Sequence, residues 1–269
     1  SLVGKNKTTK AIQDDKRNYL FKYVLDIIKD IKPSYILIEN IPRFLKLFIK
    51  NKKSHMNPHD YFNSFLGKDY IVHSDIYNSY DFGVPQDRRR AIIKIYKKGL
   101  VWNEPKYSRK KFTLKDAIGH LPSIESNQKS NIDWHYGRKH SENHILAMKK
   151  TPTGKSAFDY TDILKSTSGK TPKGFKTTYA RMEWDKPCPT ITMRNDAISS
   201  QRNVHPGVKL KNGEYSDARV LSIKELFLLT GLGDKFNLKK ATPEVLIRQV
   251  IGESVPPKLI YQICKGIKK

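Results

Sequence analysis

The first hundred residues alternate between helical and extended segments, and this alternation restricts the fold more than any other feature. Residues 17–31 predict an amphipathic helix that Pro33 ends. Its apolar stripe consists of Leu20, Tyr23, Val24, Ile27, Ile28 and Ile31. Strands are predicted at 35–38, 70–77 and 91–96, and helical pieces at 44–49 and 61–66. Such alternation is typical of a sheet with helices packed on it, so the sequence predicts an α/β fold.

A carboxylate follows the first predicted strand directly. Residues 35–38 are apolar without alternation, as expected of a parallel strand covered on both faces, and Glu39 comes next. Open α/β sheets bind ligands at the carboxyl ends of their strands, so Glu39 is a candidate site residue. A helix cap or a salt-bridged surface acid explains this residue equally well at this point.

A loop with the sequence Tyr-Asp-Phe-Gly-Val-Pro precedes the strand at 91–96. Its glycine and proline interrupt any helix. Gln86, Arg88 and Arg90 follow at strand spacing, so we expect the three to project from one face. Such a fork of donors suits a phosphate, a carboxylate or a base edge. A solvated basic strand end is the alternative and is favoured by this stretch alone, but the presence of the candidate carboxylate Glu39 in the same chain favours a site.

From about residue 100 the sequence changes character. A short helix is predicted over 113–121 with Thr113 as its N-cap, followed by a long stretch rich in Ser, Thr, Lys, Gly and Pro. This stretch predicts a loop-rich region. His135, His140 and His144 lie close together in it, the last two at helical spacing. Without a nearby cysteine we interpret them as surface or DNA-facing residues and predict no metal site.

The charge of the chain favours a polyanionic partner. The 51 Lys and Arg against 26 Asp and Glu give a formal charge of +25, which predicts attraction to nucleic acid unless it reflects coding bias toward Lys. Donors suited to phosphate lie on a proline-flanked extended segment. They are Thr190, Thr192, Arg194 and Asn195.

The two cysteines, Cys188 and Cys264, provide neither a disulfide framework nor a cysteine zinc site. Cys188 has no neighbouring base, so we interpret it as an inert thiol. No apolar run approaches the ~20 residues that cross a bilayer, and no signal-like segment opens the chain. These features predict a soluble, cytoplasmic protein.

The last fifty residues predict three helices. Ser222 and Glu225 form a capping box at the start of a helix that glycines end near residue 232. A second helix is predicted from Thr242-Pro243 through Val250, and a turn over 252–257. A terminal helix over 258–267 follows.

Four blocks, in this order, resemble the motifs of DNA (cytosine-5) methyltransferases. They are Leu37-Ile38-Glu39-Asn40-Ile41, the Gln86-x-Arg88-x-Arg90 box with the Tyr-Asp-Phe-Gly-Val-Pro before it, residues 181–192, and residues 249–257. The series covers nearly the whole chain. It implies an incomplete Rossmann-like methyltransferase domain that depends on S-adenosylmethionine, with a smaller loop-rich target-recognition domain. The implied division is 1–99 for the carboxyl-side half of the catalytic domain, 100–215 for target recognition, and 216–269 for the return to the catalytic domain.

The resemblance also implies roles for individual residues. Glu39 would hold and protonate N3 of a flipped cytosine, Arg90 would contact the exocyclic oxygen, and Arg88 would complete the catalytic group and brace the pocket with Gln86. Cofactor contacts would come from Leu20, Ser254 and Val255, and DNA contacts from Gln86, Lys5, Thr190 and Arg194. Glu253 stands where the family usually has Asn.

Two family motifs do not occur in the sequence. These are the Phe-x-Gly-x-Gly turn for S-adenosylmethionine and the Pro-Cys-Gln loop that holds the nucleophile; Ser1 to Lys5 resembles the continuation of that loop. We therefore expect the chain alone to be inactive. It would act with an amino-terminal partner subunit or a missing segment, in a restriction–modification system. The alternatives are a non-catalytic DNA-binding subunit or remnant, and a basic α/β protein with an accidental resemblance.

Overall fold

A computed structural model describes residues 20–47, 49–51, 54–160, 175–200, 202–233 and 242–268. They divide into two units. The first holds the described residues up to Asn78, Arg89–Lys106 and those from Gln262 onward; the second holds Ser79–Arg88 and the described residues of 107–261. The functional division at residues 99 and 215 stays a prediction.

The regular elements are short, and several lie in the first hundred residues. The helices are α1 (Phe21–Ile31), α2 (Pro58–Leu66), α3 (Leu114–Ile118), α4 (Glu142–Lys150), α5 (Ile223–Thr230), α6 (Glu244–Glu253) and α7 (Pro257–Cys264). The strands are β1 (Tyr35–Asn40), β2 (Ile49–Asn51), β3 (Ser54–Met56), β4 (Tyr70–Asn78), β5 (Gln86–Asp87), β6 (Arg89–Lys97), β7 (Val101–Trp102), β8 (Cys188–Pro189) and β9 (Ile267–Lys268). None of the helices in the described ranges is long and apolar enough to span a membrane.

A three-stranded sheet in the order β1-β6-β4 is the centre of the first unit. Strand β6 runs antiparallel to both neighbours, so β1 and β4 point the same way without being adjacent. The sequence predicted that β1 is a parallel strand, and this is wrong for its pairing with β6, which is its neighbour among the described residues. Its lack of alternation has another cause, since Ile36 and Ile38 pack in the core while Tyr35 contacts Tyr96 and Trp102.

Helices α1 and α2 cover one face of this sheet. Phe21, Leu25 and Ile28 of α1 are buried with Ile93 and Ile95 of β6. The helix itself is confirmed, but the predicted apolar stripe is not its buried face, because four of the six residues in the stripe are more than half exposed. They are Leu20, Tyr23, Ile27 and Ile31. Helix α1 carries apolar side chains on two faces, so the pattern alone does not decide which face packs.

Most of the other predicted elements of the first hundred residues are confirmed. The strands predicted at 70–77 and 91–96 lie within β4 and β6, and the helical piece at 61–66 lies within α2. The helical prediction at 44–49 is wrong in part. The chain forms a 3-10 turn over Pro42–Lys46 and enters β2 at Ile49.

The second unit is rich in loops and has its own core around α3, α5 and α6. Both predicted caps are confirmed, since Thr113 caps α3 and Ser222 forms a capping box with Glu225 at the start of α5. The turn predicted over 252–257 is wrong at its start, because α6 continues through Glu253. The terminal helix ends at Cys264 rather than at residue 267.

Buried arginines organise the loops of the second unit. Arg181 is 2% exposed and donates to the carbonyl oxygens of Thr151, Met148 and two other residues. Its burial lowers its pKa to about 10. Arg219 donates from both terminal nitrogens to the Glu225 carboxylate at 2.8 and 2.9 Å. Part of the large positive charge therefore serves internal structure and not the surface.

The histidines of this unit do not form the surface group that the sequence suggested. His135 is fully buried, and its two ring nitrogens lie 2.9 Å from Ser222 Oγ and from the carbonyl oxygen of Pro122. His140 precedes α4 whereas His144 lies in it, so the two do not share a helical face. Burial lowers the pKa of His140 to about 4. The surface interpretation is thus wrong for His135. The spacing of the histidines in the sequence does not indicate whether any of them is buried.

Candidate active site

Glu39 and Arg90 form an ion pair on the sheet of the first unit. Glu39 on β1 lies opposite Ile92 of β6, so Arg90, two residues earlier on β6, is its diagonal neighbour. Arg90 Nε lies 2.7 Å from Glu39 Oε1, and the two side chains are 12% and 29% exposed. The predicted catalytic carboxylate is therefore held by the predicted catalytic arginine, with part of its surface still accessible.

The environment of this pair keeps the guanidinium charged. Burial lowers the pKa of Arg90, while the charge and hydrogen bond of Glu39 act in the opposite direction. A guanidinium stays protonated at neutral pH even after a moderate reduction. Arg90 Nη1 also donates to the Arg89 carbonyl oxygen at 2.8 Å, which fixes its plane. A carboxyl beside a fixed cation can exchange a proton with a ring nitrogen while the cation stabilises negative charge on the ring.

Gln86 and Arg88 belong to the second unit, and both are buried. Gln86 is fully buried, donates to the Leu229 carbonyl oxygen at 3.3 Å and accepts from the Ile191 amide at 3.4 Å. Arg88 is 3% exposed and donates to the carbonyl oxygens of Ile191 at 2.8 Å and Gly252 at 3.1 Å. Both side chains are thus engaged with backbone groups of this unit.

The prediction that Gln86, Arg88 and Arg90 project from one strand face is wrong. Gln86 lies in β5, Arg90 lies in β6, and Arg88 lies between these strands. The physical reason is that β5 pairs with β8, where Gln86 is opposite Cys188, and not with the three-stranded sheet. Strand spacing in the sequence does not show where one strand ends and the next begins.

The predicted DNA-binding residues differ in how accessible they are. Arg194 has a side chain that is 73% exposed and pairs with Asp196 at 3.0 Å. The partly exposed Thr190 donates from Oγ1 to the Asp87 carbonyl oxygen at 2.7 Å. Asn195 is buried and donates to backbone carbonyl oxygens, so its amide serves the fold. Lys5 lies outside the described residues.

A cleft of about 240 Å³ in the second unit carries basic residues that the sequence reasoning missed. Its charged lining consists of Lys155, Lys176, Lys186, Arg181, Arg202, Asp159 and Glu183. Two of the lysines are paired, Lys176 with Asp159 at 3.3 Å and Lys186 with Glu183 at 2.9 Å. The excess of cations suits a phosphate group. Only the general density of Lys in this region hinted at it.

Comparison with known proteins identifies the family. The chain matches the C-5 cytosine-specific DNA methylases over residues 1–269. The chain belongs to this family. It is 50% identical to the Type II methyltransferase M1.HgaI of Avibacterium volantium over 270 residues, which are 99% of this chain and 75% of that protein. It is 30% identical to the Type II methyltransferase M1.HphI of Haemophilus parahaemolyticus over 100% of this chain and 65% of that protein. The chain thus spans about two thirds to three quarters of these relatives.

Solved structures support the methylase fold. The Entamoeba histolytica methyltransferase EhMeth superposes with a TM-score of 0.57 at 17% identity, over 96% of this chain and 72% of that one. Spodoptera frugiperda DNMT2 superposes with a TM-score of 0.55 at 15% identity, over 99% and 76%. The mixed α/β methyltransferase fold predicted from the sequence is thereby confirmed.

Methylases of this family take their methyl group from S-adenosylmethionine. The residues predicted to contact it belong to different units, Leu20 to the first and Ser254 and Val255 to the second. Leu20, at the start of α1, is 54% exposed and can pack on an adenine face. Ser254 caps α6 and donates from Oγ to the Ile251 carbonyl oxygen at 2.7 Å, and Val255 beside it is partly exposed. In the described ranges no glycine-rich turn joins a strand to a helix. The rest of a cofactor site is therefore not provided by these ranges.

Neither cysteine of this methylase resembles a nucleophile. Burial, followed by the charge of Glu225, raises the pKa of the Cys188 thiol far above its usual value, and Cys188 is 1% exposed. Burial also raises the pKa of the partly exposed Cys264. Thiols that remain protonated and buried are poor nucleophiles, which supports the interpretation of Cys188 as inert.

Proposed function

We propose that this chain provides the base-activating and DNA-recognising part of a restriction–modification enzyme that methylates cytosine at C5. The observation that carries the proposal is the Glu39–Arg90 pair at 2.7 Å, in a chain that matches the cytosine-specific methylases from end to end. A protein that only binds DNA has no need of a partly buried acid beside this arginine. The formal charge of +25 supports DNA as the partner.

In this proposal the chemistry begins with a cytosine rotated out of the duplex, because its ring cannot be reached inside the base stack. Addition of a thiolate to C6 places electron density on the ring. Glu39 holds N3 and delivers a proton to it, and Arg90 donates to the exocyclic oxygen; both actions stabilise the developing charge. S-adenosylmethionine would supply the methyl group that C5 accepts and leave as S-adenosylhomocysteine. A base then removes the C5 proton while the C6–S bond breaks, which releases the thiolate, and N3 returns its proton to Glu39.

The proposal also includes a nucleophile that this chain does not supply. Cys188 and Cys264 have raised pKa values, and neither lies in a Pro-Cys-Gln sequence. We assign the nucleophile to an amino-terminal segment or subunit that carries Pro-Cys-Gln. The exposed apolar face of α1, formed by Tyr23, Ile27 and Ile31, offers such a segment a surface for packing.

A methyl-transfer assay tests this proposal. Purified 1–269 is incubated with labelled S-adenosylmethionine and DNA, alone and together with a polypeptide that carries the two motifs not found here. We expect label in DNA only from the mixture. Transfer by the uncontaminated chain alone would refute the need for a second part. DNA binding without transfer in every mixture would instead favour the non-catalytic DNA-binding subunit.

A further inference from the structure

Arg88 connects two functional segments of the second unit. Its Nη1 donates to the carbonyl oxygen of Ile191, within the segment 190–194 that carries the predicted DNA contacts. Its Nη2 donates to the carbonyl oxygens of Gly252 at 3.1 Å and Glu253 at 3.4 Å, directly before the predicted cofactor-side residues Ser254 and Val255. One planar guanidinium therefore spans the end of α6 and the segment 190–194.

The same two segments touch each other without any side chain between them. A Cβ on Gly252 would lie 2.2 Å from the Thr192 carbonyl oxygen and 2.5 Å from the Met193 amide nitrogen. Such distances are too short for any residue but glycine. Asn195 adds a second connection, since its amide nitrogen donates at 2.8 Å both to the Thr192 and to the Arg248 carbonyl oxygen.

We propose that Arg88 is a positioning residue that couples cofactor binding to DNA binding by holding residues 252–255 against residues 190–194. This inference rests on the proposed function, because it takes 190–194 as the DNA side and 254–255 as the cofactor side. Arg88 is 3% exposed, so it acts through these backbone segments and not by touching a substrate. A ligand that orders one segment then orders the other, and the coupling is reciprocal.

The chemistry of arginine fits this task. A guanidinium has donors in a fixed fork and can bind several carbonyl oxygens at once, and each such charge-assisted bond is stronger than a neutral one. A lysine ammonium at the same position keeps the charge but cannot span carbonyl oxygens on two segments in the same geometry. Arg88→Lys should therefore keep the fold and part of the coupling, whereas Arg88→Met should lose the coupling.

The test measures the affinity for S-adenosylhomocysteine by titration calorimetry, with and without cognate DNA, in the complete enzyme that contains this chain. We expect DNA to change the wild-type Kd by at least about fivefold, a common size for such coupling, and expect this factor to fall to near one in Arg88→Met. Gly252→Ala, which separates the same segments by steric overlap, should reproduce the loss. Arg89→Met removes an equal charge from an exposed neighbour and should keep the wild-type factor.

Hydrogen exchange gives a second readout that needs no catalysis. In Arg88→Met, amides in both 190–194 and 250–255 should exchange faster than in wild type, while Arg89→Met should leave both segments unchanged. The inference would be overturned if DNA left the wild-type Kd for S-adenosylhomocysteine unchanged, or if Arg88→Met kept the wild-type change in Kd. It would also be overturned if exchange in Arg88→Met became faster in only one of the two segments. Absence of methyl transfer by the wild-type enzyme would count against the proposed function instead, and the exchange data would still decide the role of Arg88.

Discussion

Replacing Glu39 with Gln removes a charge and a proton donor while keeping the shape of the side chain. Two effects follow from the geometry of the pair with Arg90, which joins side chains 29% and 12% exposed. The loss of stability should be about 1–2 kcal/mol, between the small value of surface pairs and the larger value of buried ones. Loss of a positioned general acid should lower kcat/KM by about 10²- to 10⁴-fold, or about 2.7–5.4 kcal/mol.

The assay compares kcat/KM for methyl transfer with thermal unfolding in the same preparations. Glu104→Gln is the matched control, because Glu104 lies in the same unit, pairs with Lys94 and accepts a hydrogen bond from Tyr77 at 2.7 Å. This control should lose stability without a large change in kcat/KM. The reasoning is refuted if Glu39→Gln retains more than about a tenth of wild-type kcat/KM, because the loss would then be smaller than the ~10²-fold that a positioned general acid contributes at least.

The remaining predictions concern the second unit. Arg219→Met leaves the buried Glu225 without its 2.8 Å partner and should cost about 3–5 kcal/mol in urea unfolding; a loss below 1 kcal/mol would contradict this. Burial opposes ionisation of Glu225, but the charge of Arg219 outweighs burial and holds the pKa of Glu225 well below its usual value of 4.5. The stability that this pair contributes is therefore present above pH 4.5 and is lost as the pH falls toward the pKa in the folded state. In an acid titration, the free energies of unfolding of wild type and Arg219→Met should converge as the pH falls. Cys188→Ala should keep methyl transfer within about twofold, since the thiol is buried and inert, and a total loss would assign it a chemical role. Arg194→Ala should weaken binding to all DNA sequences alike and reduce the salt slope by about one, as filter binding at several salt concentrations can show.

The sequence predicted the elements whose signals are local. Thr113 and Ser222 were identified as caps because a hydroxyl followed three residues later by an acid satisfies the free amides of a helix start. The strand at 91–96 was identified from its β-branched residues, which lie at the centre of the sheet, where both faces are covered. Such signals do not depend on distant parts of the chain.

Features that depend on tertiary partners were not predictable in the same way. Helix α1 has two apolar faces, and only packing against the sheet decides that Phe21 points inward and Tyr23 outward. Arg88 and Arg90 lie two residues apart in the same motif, yet Arg88 binds backbone carbonyl oxygens of distant segments whereas Arg90 pairs with Glu39. The pairing of Glu39 with Arg90 was suggested only by the family resemblance, since their separation in sequence carries no signal of contact.

The central claim is methyl transfer to C5 of cytosine by an enzyme that contains this chain. The most direct measurement is mass spectrometry of nucleosides from DNA treated with the complete enzyme and deuterated S-adenosylmethionine. The account predicts labelled 5-methyl-2′-deoxycytidine from the wild type and its near absence from Glu39→Gln. Label on an exocyclic amine of adenine or cytosine, or no labelled nucleoside from a DNA-binding wild-type enzyme, would contradict it.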